Sequence, residues 1–556
     1  MATKMTPRSI TKQRGISINE AAKLANNLGW QPTNVQEAVK YPTDYKLNKA
    51  PKDPMKQVLR SYFAIQEEKD DRVMGALDGA VRGDMFRNVE QRWLEWMKLF
   101  LSIIPYPEIS AARSMGMQAS VVPGENLRTG LTMQMIDEFR HSTIQMNLKK
   151  WYMENYIDPA GFDITERAFG QCYADTIGRQ FGEAFTTGDV LTSTNINLQV
   201  IAETAFTNTL FVAMPSEAAM NGDFALPTVF MSVQSDESRH MANGHSVLMG
   251  SLKDPDNYAL IERDLRYSMW QNHCIIDAAV GTILEYGTKD RRKERESYAQ
   301  LWERWIYHDY YRTYLAPLEK YGIEIHHDDI NEMWDRIVKK DWHHLTAQFF
   351  SVGWPVAHWR IDGMRDEDFE WFEHKYPGWY EKYGNYWNWY NKLSEPGSEL
   401  ITFSEQTGYV YPYRCWSCLV PCLIREDFTV DEVDGELYTY CSETCRWTHA
   451  VAFQGEYKGK KTPAMGRFTG HREWEERWDG WDLADCVKQM GFVRDDGKTM
   501  IAQPHMNLDP DKMWTLDHIK GYTLGSPLLA LRAMSKEDRE KAIADYRAGF
   551  TINPVS

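Results

Sequence analysis

The chain has 556 residues, of which 43% are hydrophobic and 26% charged, as in ordinary folded globular proteins. The formal net charge of −16 argues against nucleic acid as the main partner. No apolar run reaches the roughly 18 residues of a membrane helix, and the basic N-terminus lacks the apolar stretch of a secretory signal. Eight cysteines are too few for a disulfide scaffold, so we expect a cytoplasmic protein.

Four segments of different character follow one another along the chain. Residues 1–60 are polar and rich in proline, and they predict an extended N-terminal arm. Residues 61–400 carry long stretches of helical periodicity and predict one helical domain. Residues 401–460 hold five of the eight cysteines and predict a small metal-binding module. Residues 461–556 alternate loops with short regular elements, so we expect a mixed α/β C-terminal region on a mainly α protein.

Two five-residue segments, Asp137–His141 and Asp236–His240, share the pattern Asp-Glu-x-Arg-His. Residues three apart lie on one face of a helix, so Glu138 and His141 can aim at one point, and the second segment repeats this arrangement. A single Glu-x-x-His pair is usually part of a solvated helix face. Two copies of the longer pattern within a helical region instead predict the two halves of one metal site.

A helical bundle that binds two iron ions takes a Glu-x-x-His pair from each of two helices and a lone glutamate from each of two others. Glu108 and Glu203 lie 30 and 34 residues before the glutamates of the two segments. Both have apolar helical surroundings, where an unpaired acid is costly. Glu125 and Glu183 are alternatives by position, although Glu125 follows a Pro-Gly pair and Glu183 lies farther from its segment.

Charge also favours two irons, because four carboxylates balance two ferrous ions. Oxygen-rich ligation with two imidazoles suits iron or manganese better than zinc or copper. Asp137 and Asp236 are suited to accept the second N–H of the ligating histidines, and Arg140 and Arg239 would keep these aspartates charged. Ordinary surface salt bridges are the alternative for these four residues. The sequence thus predicts a ferritin-like di-iron helical bundle.

These segments resemble the large hydroxylase subunit of bacterial soluble di-iron monooxygenases, most closely the propane and tetrahydrofuran type and more distantly the methane type. The resemblance runs from about residue 20 to residue 525. The matching stretches are 137–141, 188–189, 197–199, 203–208, 227–230, 236–244, 371–373, 376–380, 497–505 and 514–517. The metal ligands that the resemblance implies are Glu108, Glu138, His141, Glu203, Glu237 and His240.

The resemblance also implies a role for Thr207, which stands one helical turn after Glu203 and is followed by Asn208. In the family, the threonine at this place is associated with proton delivery during O₂ activation. The alternative is a helix threonine whose hydroxyl bonds to its own backbone.

The activity that the resemblance implies is insertion of one oxygen atom of O₂ into a small hydrocarbon such as propane, while the other leaves as water. The implied partners are a β subunit in an α2β2 core, a small coupling protein, and a reductase with FAD and a 2Fe–2S cluster that is fed by NADH. The chain itself has neither a dinucleotide-binding glycine motif in a strand–turn–helix context nor a ferredoxin cysteine run, so its electrons must come from another protein.

The predicted substrate pocket consists of apolar residues about one or two helical turns from the ligands, as a hydrocarbon requires. They are Ile104, Ala111, Phe211, Phe230 and Val233. Phe181 and Phe185 are added because they resemble pocket phenylalanines of the family. All seven are equally suited to an ordinary core.

A second metal site is predicted by Cys415-x2-Cys418 and Cys441-x3-Cys445, two close cysteine pairs separated by 22 residues. This spacing is typical of structural zinc with four cysteine ligands, and the segment resembles a YHS-type zinc module. Cys422 is a substitute ligand, and a redox-active pair is the alternative function.

Other functions remain open at this point. Within the family, the chain could belong to the aromatic (phenol or toluene) or the alkene monooxygenases. Outside it, a ferritin-like iron-binding protein is disfavoured by the chain length and the cysteine module. A radical-generating reductase subunit would want a tyrosine beside the cluster. A non-catalytic paralogue is disfavoured because all six predicted ligands are present.

Overall fold

The computed structural model describes residues 43–47, 49, 59–156, 158–163, 176–186, 188–338, 342–343, 346, 362–394, 413–418, 421–422, 429–433, 435–463, 479–501, 503, 509–521, 523 and 531–549. Most of the predicted N-terminal arm lies outside these residues. The described chain is mainly helical, as predicted. No helix in these ranges combines the length and the apolar character needed to cross a membrane.

The helices are numbered in chain order. They are α1 (Leu59–Arg82), α2 (Gln91–Ile103), α3 (Pro105–Val121), α4 (Glu125–Asn155), α5 (Thr176–Ala184), α6 (Leu191–Phe206), α7 (Met214–Met220), α8 (Ala225–Ser251), α9 (Tyr258–Asn272), α10 (Ala278–Tyr286), α11 (Tyr298–Trp302), α12 (His327–Val338), α13 (Asp366–Lys375), α14 (Trp379–Ser394), α15 (Glu443–Thr448), α16 (Leu483–Met490) and α17 (Lys536–Gly549). Wide π-helical turns form α6 and the segments Thr209–Ala213, His273–Asp277, Glu303–Leu315 and His449–Phe453.

The strands of the described chain form three antiparallel pairs. They are β1 (Tyr413–Arg414) with β2 (Pro421–Cys422), β3 (Thr429–Val433) with β4 (Glu436–Tyr440), and β5 (Glu456–Tyr457) with β6 (Lys460–Lys461). Farther along, only isolated bridges such as Val493 with Met500 occur in the described ranges. The strands therefore cluster around the predicted cysteine module.

Four helices, α3, α4, α6 and α8, pack against one another and form the central bundle. Pro105 begins α3, a position where proline's missing N–H costs no helical hydrogen bond. Gly124 precedes α4 with a φ of 94°, a left-handed angle that glycine adopts without strain. The helices α4 and α8 run for 31 and 27 residues, and each places one of the two Asp-Glu-x-Arg-His segments near its middle.

A short piece of the N-terminal region is tied to the bundle. The hydroxyl of Thr43 donates to Asp189 over 3.0 Å, and the hydroxyl of Tyr45 donates to Asp264 over 2.6 Å. Asp189 also accepts the backbone N–H of Leu191 and so caps the start of α6. Through Asp189, Thr43 is therefore linked to the start of the helix that carries Glu203.

A buried carboxylate, Glu285, lies outside the bundle in the aromatic region formed by α10, α13 and α14. Glu285 accepts hydrogen bonds from the backbone N–H of Tyr298 and, over 2.7 Å, from the hydroxyl of Tyr376. Its second oxygen lies 3.9 Å from the ring of His343. Burial raises the pKa of Glu285 to about 7, although its hydrogen bonds and the charges of Arg295 and Arg291 lower it. Between about pH 4.5 and pH 7, the native state therefore keeps a proton on Glu285 that the unfolded chain has already released.

This carboxylate predicts a pH dependence of stability. Because its folded pKa lies above the unfolded value, the wild-type free energy of unfolding falls as the pH rises from about 4.5 to about 7. Glutamine does not titrate. We therefore expect the free energy of unfolding of Glu285→Gln to fall by up to about 3 kcal/mol less than that of the wild type over this pH range. Denaturant unfolding of both proteins at pH 4.5 and pH 8 measures the difference, and parallel pH profiles would contradict the assignment.

Candidate metal centre

The six predicted ligands come from the four helices of the central bundle, and all of them are buried. Glu108 lies on α3 and Glu203 on α6, while α4 and α8 contribute one Glu-x-x-His pair each. The two histidine rings lie 5.8 Å apart between their centroids. The alternatives Glu125 and Glu183 belong to neither of the carboxylate–histidine groups found among the described residues.

The donor atoms form two adjacent groups that share two carboxylates. Around His141, the Nδ1 atom lies 3.4 Å from Glu138, 3.7 Å from Glu108 and 3.9 Å from Glu237. Around His240, Nδ1 lies 3.1 Å from Glu237, 3.3 Å from Glu138 and 3.5 Å from Glu203. Glu138 and Glu237 thus face both histidines, whereas the other two glutamates face one each.

The site carries an excess of negative charge. Among the described residues, the four glutamates form ion pairs only with the two histidines. Burial raises the pKa of Glu138 well above its ordinary value and that of Glu203 to about 7. Burial would lower the pKa of His240, but the charges of the surrounding glutamates outweigh it and raise this pKa well above its usual range. The donor set is therefore suited to cations.

The two halves of the site are linked crosswise by the aspartates. The Nε2 atom of His141 lies 3.2 Å from Asp236, and the Nε2 atom of His240 lies 3.2 Å from Asp137. Each aspartate therefore holds the histidine of the other segment, and each Nδ1 atom faces the glutamates. Hydrogen bonds of this kind fix the ring orientation and the tautomer of a metal-binding histidine.

A cationic layer surrounds the aspartates. Arg140 donates to Asp236 over 3.0 Å, and Arg239 donates to Asp137 over 2.8 Å and also to Asp236. Burial would raise the pKa of Asp236, but its hydrogen bond to His141 and the charges of Arg140 and Lys69 hold it well below its ordinary value. These contacts are buried or half-buried, so they differ from ordinary surface salt bridges.

The sequence prediction missed one wall of the site, which helix α1 supplies. Tyr62 donates to Asp137 over 2.7 Å, and Lys69 donates to Asp236 over 2.5 Å. Gln66 lies between them and donates to both aspartates, over 2.8 Å and 2.6 Å. The three residues stand at positions i, i+4 and i+7 of one helix face. The spacing of these three polar residues could have indicated a helix face directed at the site. They follow directly after the predicted N-terminal arm, which ends at residue 60.

The aspartates yield a prediction for metal affinity. We expect Asp236→Asn to weaken iron binding about 10- to 100-fold, because an amide holds the His141 ring less firmly than a carboxylate. Iron retained after dialysis against a graded chelator measures the effect. Asp368→Asn is the matched control, since Asp368 is equally buried and pairs with arginines away from the site. Equal iron retention in both variants would contradict the assignment.

Thr207 lies one turn from Glu203, and its hydroxyl donates to the backbone carbonyl of that glutamate. This is the bond of an ordinary helix threonine, which the sequence left open as the alternative. Asn208 is half-buried and follows at the end of α6. Proton delivery by Thr207 stays a prediction.

An apolar cavity of about 130 Å³ lies beside the bundle, between α2, α3, α5 and α10. Two predicted pocket residues, Ile104 and Phe181, line it. The ring of Phe185 packs at 4.8 Å from that of Phe181, and the ring of Phe230 lies 5.7 Å from Phe100, which also lines the cavity. The other predicted pocket residues, Ala111, Phe211 and Val233, are buried but do not line this cavity.

The four predicted zinc ligands also lie together. Donor sulfur atoms of Cys415, Cys418, Cys441 and Cys445 all lie within 4.8 Å of one another, and the four side chains are buried. The Sγ atom of Cys441 lies 3.5 Å from that of Cys445 and 3.7 Å from that of Cys418. Arg336 of α12 donates to Cys445 over 3.6 Å. The predicted substitute ligand, Cys422, is on β2.

Comparison with known proteins decides the family. Residues 30–255 match the model of the Methane/Phenol/Alkene Hydroxylase family. The propane 2-monooxygenase hydroxylase component large subunit of Mycolicibacterium smegmatis is 62% identical over 534 residues, which cover 96% of this chain and 98% of that protein. The chain belongs to the methane, phenol and alkene hydroxylase family. The resemblance stated from the sequence is thereby confirmed.

Other members of the family are more distant. The methane monooxygenase component A alpha chain of Methylosinus trichosporium is 30% identical and covers 94% of this chain and 97% of its own length. The oxygenase component of phenol 2-monooxygenase from Pseudomonas sp. strain CF600 is 24% identical over 76% of this chain and 81% of its own length. The propane type is therefore favoured over the aromatic alternative, and the greater distance of the methane type agrees with the sequence prediction.

A solved structure confirms the fold class. Xenon-pressurized phenol hydroxylase from Pseudomonas sp. OX1 superimposes with a TM-score of 0.64 at 21% identity, covering 86% of this chain and 95% of that one. The chain is thus mainly helical, with a four-cysteine cluster and some strands in its C-terminal part.

Proposed function

We propose that this chain is the large subunit of a hydroxylase that inserts one oxygen atom of O₂ into a small hydrocarbon of the propane type. The shared donor set carries the proposal, because Glu138 and Glu237 each face both histidines. The apolar cavity, which Pro107 next to Glu108 helps to line, and the high identity to a propane-type relative support the substrate class. An aromatic or alkene substrate is the alternative within the family.

Two iron ions fit the residues that are present. Four carboxylates and two imidazoles form an oxygen-rich donor set that suits iron. The Nδ1 atom of His141 and the Oε2 atom of Glu203 are buried and make no hydrogen bond to any described residue, as expected of ligand atoms. The iron-binding residues would be Glu108, Glu138, His141, Glu203, Glu237 and His240. When bound, the iron supplies O₂ activation and oxygen insertion.

The side chains of this protein hold, orient and protect the reacting groups. Asp137 and Asp236 keep the Nδ1 atoms of the histidines turned toward the glutamates. We propose that Thr207 carries a proton, which requires its hydroxyl to leave the Glu203 carbonyl and rotate toward the site. The apolar walls of the cavity bind the hydrocarbon and exclude water. Asn208 is proposed to act with Thr207.

The four-cysteine cluster is proposed to bind one structural zinc ion. Four cysteine sulfur atoms that all lie within 4.8 Å of one another suit tetrahedral zinc, and the guanidinium of Arg336 would offset part of the negative charge of the thiolates. A cytoplasmic location is proposed as well, because eight cysteines are too few for a disulfide scaffold. The four-part division at residues 60, 400 and 460 is retained as part of the proposal.

Partners are required because electrons have to arrive from another protein. The curated relatives are themselves named as components of larger systems. We propose a β subunit in an α2β2 core, a small coupling protein, and a reductase with FAD and a 2Fe–2S cluster that takes electrons from NADH. The net charge of −16 agrees with protein partners and with the absence of a nucleic-acid partner.

The deciding experiment uses the chain co-expressed with its β subunit. We expect about two irons per chain, and a single turnover of the reduced protein with O₂ should convert propane to an alcohol faster than it converts phenol to a diol. Faster phenol conversion would favour the aromatic alternative. Iron oxidation without any substrate oxidation would favour a ferritin-like protein. A folded complex without iron would favour a non-catalytic paralogue.

A further inference from the structure

The two half-sites are alike in their ligands but differ in the amide groups beside them. Helix α4 places Gln134 one turn before Glu138 and Gln145 one turn after His141. Gln145 donates to Glu108 over 2.6 Å, and Gln134 donates to Glu203 over 3.0 Å. On α8, the positions that correspond in the second segment are Val233 and Gly244, which have no amide side chain. One helix therefore supplies an amide to both of the outer glutamates.

The amide beside Glu203 belongs to a buried chain of amides that all point the same way. Gln134 accepts a hydrogen bond from Gln199 over 2.8 Å, and Gln199 accepts from Gln118 over 3.1 Å and from Asn195 over 3.2 Å. Each of these groups thus donates its N–H toward the metal site. At most 1% of each side chain is exposed. Buried amides are costly unless they are hydrogen-bonded, and the amides of Gln134 and Gln199 each both donate and accept here.

The amide beside Glu108 has no such support. The carbonyl oxygen of Gln145 makes no hydrogen bond to any described residue, although it is buried. Gln134, in contrast, also donates to Glu138 over 3.3 Å and accepts from Asn243 over 3.4 Å. The orientation of Gln134 is therefore fixed on both sides, whereas that of Gln145 is fixed on one side.

The helices α6 and α8 pack closely at Gly244, and this close approach brings the amides of α6 into place. A Cβ atom at Gly244 would lie 2.4 Å from the Cβ atom of Gln199, too close for any real side chain. The carbonyl of Gly244 accepts a hydrogen bond from Asn195 over 2.8 Å. Glycine at this place therefore lets the helix that carries Glu203 approach α8 with Gln199 directed at Gln134.

We propose that Gln134 is a positioning residue that holds one oxygen of Glu203, and that Gln199 fixes the orientation of its amide. The Oε1 atom of Glu203 accepts the hydrogen bond, and Oε2 makes no hydrogen bond to a described residue and stays available to an ion. An ion bound beside Glu203 and His240 would thereby be held differently from one bound beside Glu108 and His141. This inference rests on the proposed two-iron function.

The test compares three variants of equal length and similar volume in the complex with the β subunit. They are Gln134→Met, Gln199→Met and Gln145→Met. Mössbauer spectra of the reduced, ⁵⁷Fe-loaded proteins report each iron separately, and chelator dialysis reports iron affinity. We expect Gln134→Met to shift the signal of one iron and to weaken its retention about 10- to 100-fold. Gln199→Met should shift the same signal, although it touches no ligand, and Gln145→Met should shift the other one.

The outcomes separate this inference from the proposed function. Two irons in the wild type with unchanged signals in Gln134→Met and Gln199→Met would overturn the positioning role and leave the hydroxylase function intact. A Gln199→Met variant that unfolds at a lower temperature but keeps both iron signals would show that the amide chain only stabilises the fold. A folded wild-type complex without iron would overturn the proposed function itself.

Discussion

Replacement of Glu138 by alanine is expected to abolish iron binding and hydroxylation together. Glu138 faces both histidines, at 3.4 Å and 3.3 Å, so under the proposed function its loss would remove a ligand from both ions at once. We expect the iron content to fall from about two ions per chain to less than one. Turnover should fall by a factor on the order of 10³ or more, because O₂ activation depends on the metal.

Iron analysis and propane turnover of the purified complex measure this effect. Glu262→Ala is the control, because Glu262 is a buried glutamate on α9 that pairs with Lys458 away from the site. It should keep both its iron and its activity. A Glu138→Ala protein with two irons and normal turnover would show that the donor set is not the active centre.

The second large effect is expected at the cysteine cluster. Structural zinc contributes an apparent binding free energy of about 10–16 kcal/mol in zinc-finger peptides, so loss of one ligand should release the ion. We expect Cys441→Ser to contain almost no zinc and to lose the β3–β4 region to proteolysis, while the iron content is unchanged. Zinc and iron analysis of the same sample, together with limited proteolysis, gives the answer.

Cys486→Ser is the matched control for the cysteine variant, since Cys486 is buried on α16 outside the cluster. It should keep its zinc. Zinc-free wild-type protein in which cluster cysteines form disulfides would instead support the redox alternative. In that case the iron centre and the proposed hydroxylation would be unaffected.

The grouping of the candidate ligands could largely be predicted from the sequence, because it follows local helix geometry. The spacing of Glu138 and His141 places both on one helix face, and the repeated pattern identifies the partner helix. Glu108 and Glu203 were found by their unusual position, as acids in apolar helices. The cysteine pairs were found by their spacing, because residues close together along the chain can bring their sulfur atoms together.

The parts that escaped prediction depend on contacts between distant segments. Gln66 and Gln134 look like ordinary helix glutamines until packing buries them, and only then do their amides have to find carboxylate partners. Likewise, Gly244 shows no special backbone pattern, and its purpose becomes clear only where α6 crosses α8. The hydrogen bonds between each aspartate and the histidine of the other segment could not be predicted either, because they depend on how α4 and α8 pack together.

Those crosswise bonds bear on how the protein is made in the cell. During synthesis, α4 leaves the ribosome about a hundred residues before α8. Until α8 has followed and docked, His141 lacks Asp236, Glu138 faces only one of its two histidines, and the first half-site is incomplete. Under the proposed function, complete metal binding would therefore wait until α8 has docked, although α3 and α4 alone already contribute Glu108, Glu138 and His141.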